Sequence, residues 1–251
     1  MPRLHLGKVI VGAFLVPWLH RKAFARALAV PLALIVGFSV LWHVVPGLYT
    51  SPVALWLSIP IYGILFTLFA VTCHRLVLLD ANQVARSWWP QWSRRETRFF
   101  SWIGLLWLSG VIAGLAVLTF LFSFSKFVIG TSDAAWLEYA VYGVKLPLLY
   151  AFARFCMLFP ATALDRMASL RWSWDLTRDN GWKLVVVVGG LPFVFSVLVS
   201  FFYRSGATAA ERLLLTAAAV ALFAVEIAAV SLSYRELTRY DAIPPDGGAS
   251  S

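Results

Sequence analysis

The chain has 251 residues, 61% of them hydrophobic and only 13% charged, with a mean hydropathy of +0.79 and a formal charge of +9. Soluble domains run at about 45–50% apolar and about 25% charged. A water-soluble fold of this length could not hide the surplus apolar surface, so part of its solvent is lipid. The basic residues flank apolar runs and form no domain of their own. That argues against nucleic acid as a partner and assigns them to topology and to contact with anionic headgroups.

In chain order, Leu4 to Ala25 reads as an amphipathic interfacial helix broken near Pro17, with Lys8, Arg21, Lys22 and Arg26 supplying its charge. Ala27 to Pro46 is the first predicted span, with Pro31 in its first turn, where a missing N–H matters little. Gly47 to Pro52 is a tight, uncharged turn. Val53 to Arg75 is the second span, ending in His74-Arg75. Asp80 to Arg98 returns to polar character around Trp88, Trp89 and Trp92. Phe99 to Phe122 is the third span and carries Gly110-x-x-x-Gly114, a spacing that lets two backbones approach closely. Ser123 to Ala135 is a loop. Trp136 to Phe159 is the fourth span, and Pro160 to Gly181 is a second surface segment. Trp182 to Tyr203 is the fifth span, loosened by Gly189, Gly190 and Pro192. Arg212 to Tyr234 is the sixth, and 243–251 is a Pro/Gly/Ser tail expected to be disordered. Spans of about 20 residues suit a hydrocarbon core of about 30 Å. Long unbroken apolar runs indicate helices, because a barrel would alternate every second residue.

The basic residues are unevenly shared between the predicted loops. One side carries Arg3, Lys8, Arg21, Lys22, Arg26, Arg75, Arg86, Arg94, Arg95, Arg98, Arg166, Arg171, Arg178, Lys183, Arg235 and Arg239; the other carries Lys126, Arg204 and Arg212. The positive-inside rule places both termini and both Trp-rich surface segments in the cytoplasm. The short apolar stretch Val9–Trp18 precedes its basic residues, the reverse of a signal peptide. Cys73 and Cys156 lie near predicted inner helix ends without metal or haem spacing, which makes them buried apolar thiols.

The segment Trp92-Ser93-Arg94-Arg95-Glu96-Thr97-Arg98-Phe99-Phe100-Ser101-Trp102 shares Trp, Ser, Thr, Arg and Trp with Trp172-Ser173-Trp174-Asp175-Leu176-Thr177-Arg178-Asp179-Asn180-Gly181-Trp182, at a constant offset of 80. Each precedes an odd-numbered span. Each even-numbered span ends near an arginine, Arg75, Arg154 or Arg235, spaced 79 and 81 apart. The simplest account is three units of a surface helix and two spans, about 4–75, 82–154 and 160–235, in a pseudo-threefold all-α bundle of six transmembrane helices whose repeats share one orientation. The alternative is six unrelated hydrophobic helices.

On the surface helix 170–178, Arg171, Asp175 and Arg178 share one arc flanked by Trp172 and Trp174, with Ser169 as N-cap and Asn180-Gly181 as a left-handed stop. Such a helix orients the protein at the interface, or docks a partner or lipid. Arg75, Arg154 and Arg235 would then snorkel to the same level as Trp92, Arg98, Trp102, Trp172, Arg178 and Trp182. Lys145 lies nine residues before Arg154, and Glu226 nine before Arg235. An unpaired charge at that depth costs about 2.5–3.5 kcal/mol on insertion scales. A direct or water-bridged Lys145–Glu226 contact is therefore expected, either as a strut or as a proton- or substrate-linked site. His43 and His74 fall near opposite faces and read as interfacial histidines rather than haem ligands.

No metalloprotease, nucleophile-elbow or phosphate-loop motif is present, and the polar segments hold no carboxylate cluster, so neither catalysis nor a cofactor is expected. At Arg154-x-x-x-x-x-Pro160-Ala161, at Ser169-Leu170-x-x-x-Trp174-x-Leu176-Thr177-Arg178-x-Asn180-Gly181-Trp182 and at His74-Arg75-Leu76-Val77-Leu78-Leu79, the chain resembles the YciC-type family. These are multi-span bacterial inner-membrane proteins, similar to the membrane domain attached to some glycerophosphodiester phosphodiesterases. The resemblance implies a membrane module without the enzyme and lends no catalytic residues. Two roles follow as expectations: a structural accessory subunit or assembly factor of a membrane complex, or a small-molecule or lipid transporter built on Lys145 and Glu226.

Overall fold

The computed structural model describes residues 3–45, 47–48, 50–79, 81–84, 91–124, 134–190, 192–194, 196–197, 200 and 209–238. These residues are mostly helical, with no strand among them. The helices are α1 (Leu6–Leu19), α2 (Arg21–Val44), α3 (Pro52–Leu78), α4 (Ala81–Val84), α5 (Arg94–Phe124), α6 (Ala134–Phe155), α7 (Leu158–Ala163), α8 (Leu170–Leu176), α9 (Gly181–Val185) and α10 (Ala209–Thr238). A π-helical segment, Val186–Gly190, continues from α9. Five stretches among the described residues are long and apolar enough to cross a membrane: Arg21–Trp42, Pro52–Leu78, Arg94–Phe124, Gly143–Ala163 and Ala217–Thr238.

Several boundaries differ from the sequence expectation for local reasons. The first helix runs through Pro17 and breaks at His20, where the backbone turns. Pro17 has no N–H to bond the preceding turn, and the helix stops three residues later. Arg21 and Lys22 then open α2 instead of closing a surface helix. The expected polar segment up to Arg98 is not a separate surface helix: α5 starts at Arg94 and continues unbroken into the apolar run. Its start is set by a capping box, in which the Ser93 N–H donates to Glu96 Oε2 at 2.8 Å and the Ser93 hydroxyl also donates to Glu96. The second Trp-rich segment behaves differently, since α8 ends at Leu176 and α9 restarts at Gly181. The two eleven-residue segments therefore share residues but not backbone path.

The predicted fifth span lies partly outside the described residues, and its described beginning is α9 with the π-helical segment. The 243–251 tail, Trp88, Trp89 and most of the 123–135 loop also lie outside them.

The core is concentrated at one end of the bundle. In α3 the buried residues run mostly from Thr67 to Val77, in α10 mostly from Ile227 to Leu237, and in α5 they are Glu96 and Phe99. Helix α1 packs on α10 through Val9 and Ala13, while α7 fills the space between α3 and α5. Phe223 of α10 meets Phe66 and Phe69 of α3 with ring centroids 5.3 and 6.0 Å apart. Cys73 and Cys156 are buried within this end. The opposite stretches stay apolar and exposed, as at Trp56, Leu57, Ile112 and Phe120. That distribution suits a bundle whose uncovered helix surface faces lipid.

Asn180 does not provide the expected left-handed stop: its φ is −123°. Gly181 is instead required by close approach, because a Cβ there would stand 2.8 Å from the Tyr150 hydroxyl and 2.9 Å from its ring. Gly181→Ala is expected to destabilise the protein by about 1–3 kcal/mol, seen as a lowered midpoint in detergent thermal unfolding. Gly104→Ala, which meets nothing within 4 Å, should leave the midpoint unchanged.

Candidate functional site

The polar side chains of the packed end form two adjoining groups. The first is built on Arg154, in the last turn of α6. The residue is buried, with 4% of its surface exposed. Its guanidinium donates to the Trp174 carbonyl, to Thr177 Oγ1 at 3.1 Å and to the Tyr150 hydroxyl at 3.3 Å. It also stacks on the Trp174 ring, 3.8 Å from the centroid. The Arg154 carbonyl lies at a helix end, where no intrahelical donor is left to it. Ser173 Oγ donates to it at 2.8 Å, and Thr177 Oγ1, whose proton goes to the Ser173 carbonyl at 2.8 Å, lies 3.3 Å from it. Thus α6 and α8 each satisfy the other's terminal carbonyl. Ser169 caps α8 as expected, accepting from the Trp172 N–H at 3.2 Å.

The second group surrounds the 164–168 turn. Asp165 has φ 59°, the only non-glycine left-handed residue among those described. Its carboxylate accepts from Arg95 at 3.0 Å and lies 3.5 Å from Arg98. Arg95 also pairs with the buried Glu96 at 2.9 Å. Arg75 donates to the Ala163 carbonyl at 3.3 Å, and Arg166 to the Tyr234 hydroxyl at 3.2 Å. Beside this turn, a cleft of about 390 Å³ is lined by residues of α5 and the 162–168 segment, including Arg98, Trp102, Leu105 and Arg166.

A strap formed by the N-terminal residues closes this end. The Leu4 N–H donates to Asn180 Oδ1 at 3.0 Å, and its carbonyl accepts from Lys183 Nζ at 2.9 Å. The next residue, His5, bonds Glu236 of α10 through its backbone N–H at 3.2 Å and through Nδ1 at 2.6 Å.

The sequence-predicted residues divide accordingly. Arg75, Arg98 and Trp102 come together around the 162–168 turn, and Trp92 donates to Thr97 at 3.0 Å on the same helix start. Around α8, Trp172 packs on Tyr234, while Trp182, though 61% exposed, lies 5.0 Å from the Tyr150 ring. Arg171, Arg178 and Arg235 are exposed, and Arg171 lies 3.9 Å from Asp175. The expected equivalence of Arg75, Arg154 and Arg235 is absent from their contacts: one reaches a loop carbonyl, one is enclosed, one is exposed. Lys145 is exposed on α6, and Glu226 is half-buried on α10. These helices are not among the extensively packed pairs. His74 departs from the interfacial expectation. It is buried and bonds Ser231 Oγ at 2.7 Å, tying α3 to α10; the His43 side chain lies outside the described residues. No group of three or more His, Cys, Asp or Glu residues gathers as a metal site among the described residues.

Sequence reasoning missed Glu96, Asp165, Ser173, Lys183 and the Leu4 strap. The Ser93-x-x-Glu96 spacing was the available signal for the first. Compared with family models, with curated proteins and with solved structures, the chain matches none.

Replacing Arg154 by Met would take the charged donor away from the Trp174 carbonyl and from Thr177 Oγ1 in a buried setting. It is expected to lower stability by about 2–4 kcal/mol, read as a lower unfolding midpoint in detergent. Arg154→Lys should recover little, because an ammonium cannot bond three separated acceptors in one plane and stack on an indole together. Arg171→Met at the exposed face should change the midpoint by less than about 0.5 kcal/mol.

Proposed function

We propose that this chain is a multi-pass protein of the bacterial inner membrane that works without catalysis, as an accessory subunit or assembly factor of a larger membrane complex. Helix α5 carries this reading. It runs from Arg94 to Phe124, yet beyond Phe99 none of its residues is buried. Trp107, Ile112, Leu115 and Phe120 are exposed along it. Gly114 faces Leu148 of α6 at 3.9 Å, whereas a Cβ on Gly110 would meet nothing within 4 Å. A spanning helix covered so little by its own chain has surface for a helix of another protein, and a glycine lets that backbone come close.

In the arrangement we propose, the basic end and both termini are cytoplasmic. Anionic headgroups surround that end, and no nucleic acid is bound. Six spans in three units remain the proposed plan, with the apolar stretch Gly181–Val194 supplying part of the fifth. Likeness to the YciC-type membrane module supports the same non-enzymatic role. A second reading, transport of a small molecule or lipid, draws on Glu226, a half-buried carboxylate within the apolar helix α10, together with Lys145.

A photo-crosslinking residue placed at Trp107 or Ile112 in cells should capture another membrane protein, which should also travel with the chain in mild detergent. A chain that travels alone and crosslinks to no protein would remove the accessory reading. Under the transport reading, Glu226→Gln abolishes uptake or release of a solute while leaving the amount of folded protein unchanged. Cysteines introduced at Arg94 and Arg171 should both label from the cytoplasmic side; labelling from opposite sides would overturn the topology.

A further inference from the structure

The geometry points to the cleft between α5 and the 162–168 segment as a binding site for the phosphate headgroup of an anionic phospholipid. Along α5 the cleft runs from a charged end to an apolar one. Arg98 and Arg166 bring guanidiniums to its lining, which includes no carboxylate. Trp102, Leu105 and Ala168 supply its apolar surface, and the exposed Met167 lies against Arg98. From Arg98 to Leu105 the helix rises by about 10 Å, comparable to the depth of about 5–10 Å from headgroups into the acyl boundary. A ligand matching both ends has an anionic group followed by a hydrocarbon arm.

The cations are placed to hold such a group. Arg98 donates at 3.5 Å to the Met167 sulfur, a weak acceptor, and lies 3.5 Å from Asp165, a long contact for an ion pair. Arg166 spends a bond on the Tyr234 hydroxyl at 3.2 Å. A guanidinium has five N–H donors, so these contacts leave donors on each for phosphate oxygens, which Arg binds in a fork. Asp165 accepts from Arg95 at 3.0 Å and lies farther from Arg98, at 3.5 Å. It therefore offsets only part of the positive charge at the rim. The Ser101 hydroxyl, which donates to the Thr97 carbonyl at 2.9 Å, lines the same opening. The cleft also falls within the 300–1,000 Å³ range of ligand pockets.

The test uses the full chain in mild detergent, with dioleoylphosphatidylglycerol, dioleoylphosphatidylcholine or inorganic phosphate added, read by native mass spectrometry and by thermal unfolding. Phosphatidylglycerol should stay bound and raise the unfolding midpoint more than phosphatidylcholine, and inorganic phosphate should not displace it. Arg98→Gln combined with Arg166→Gln should weaken its binding about tenfold, while Arg171→Gln should not. Because Arg166 also braces α10, Ser101→Glu provides a second variant. It adds a carboxylate to the opening without removing either arginine, and should weaken phosphatidylglycerol similarly. Equal binding of the two lipids that neither variant alters would overturn the site, and so would displacement of lipid by inorganic phosphate. Recovery of the chain without detergent would instead overturn the membrane setting, a separate result.

Discussion

The enclosed guanidinium of Arg154 is the interaction on which the packed end depends. A charge withdrawn from water is tolerated only when its surroundings replace the lost hydration. Here the replacement is made of neutral groups: a helix-terminal carbonyl, a threonine hydroxyl, a tyrosine hydroxyl and the face of an indole. The carbonyl end of a helix and an aromatic face both favour a cation. Because the Arg154 carbonyl is bonded back by Ser173, neither α6 nor α8 can move without leaving polar groups of both unsatisfied. That fixes Trp174 and the turn leading to Asn180, and Asn180 in turn receives the Leu4 N–H.

The remaining charges at this end act through loops rather than through burial. Arg75, Arg95 and Arg98 converge from two helices on one turn, and the left-handed Asp165 presents its carboxylate to two of them. The result is a rigid basic rim beneath which the helices continue as apolar rods. Packing is dense at the arginine-bearing end and sparse along α5 beyond Phe99. A bilayer accounts for this contrast, since hydrocarbon satisfies exposed Leu, Ile and Phe as well as a protein core does.

Much of this architecture is legible from hydrophobic run length alone. The runs holding Val53–Arg75 and Phe99–Phe122 became α3 and α5, extended by a turn or less except at the start of α5, which Ser93 and Glu96 cap five residues before the apolar stretch. What hydropathy cannot register is the fate of individual arginines. Arg75, Arg154 and Arg235 follow similar apolar runs, and nothing local says which is enclosed; that depends on whether a Ser and a Thr four residues apart face it from a segment some 20 residues away. The two Trp-rich segments likewise share a pattern while Thr177–Asn180 breaks one and not the other. The break accompanies tertiary contacts, Asn180 to Leu4 and Gly181 against Tyr150, that no window of adjacent residues contains.

The strap at Leu4 and His5 has a consequence for how the protein is made. Its partners lie 176 and 231 residues further along the chain. On the ribosome Leu4 must wait, unpartnered, for Asn180 and Lys183, and His5 waits longer, for Glu236. Closure of the strap is thus stepwise: a nascent chain stalled before α10 already holds Asn180 and Lys183 for Leu4, but leaves His5 without Glu236.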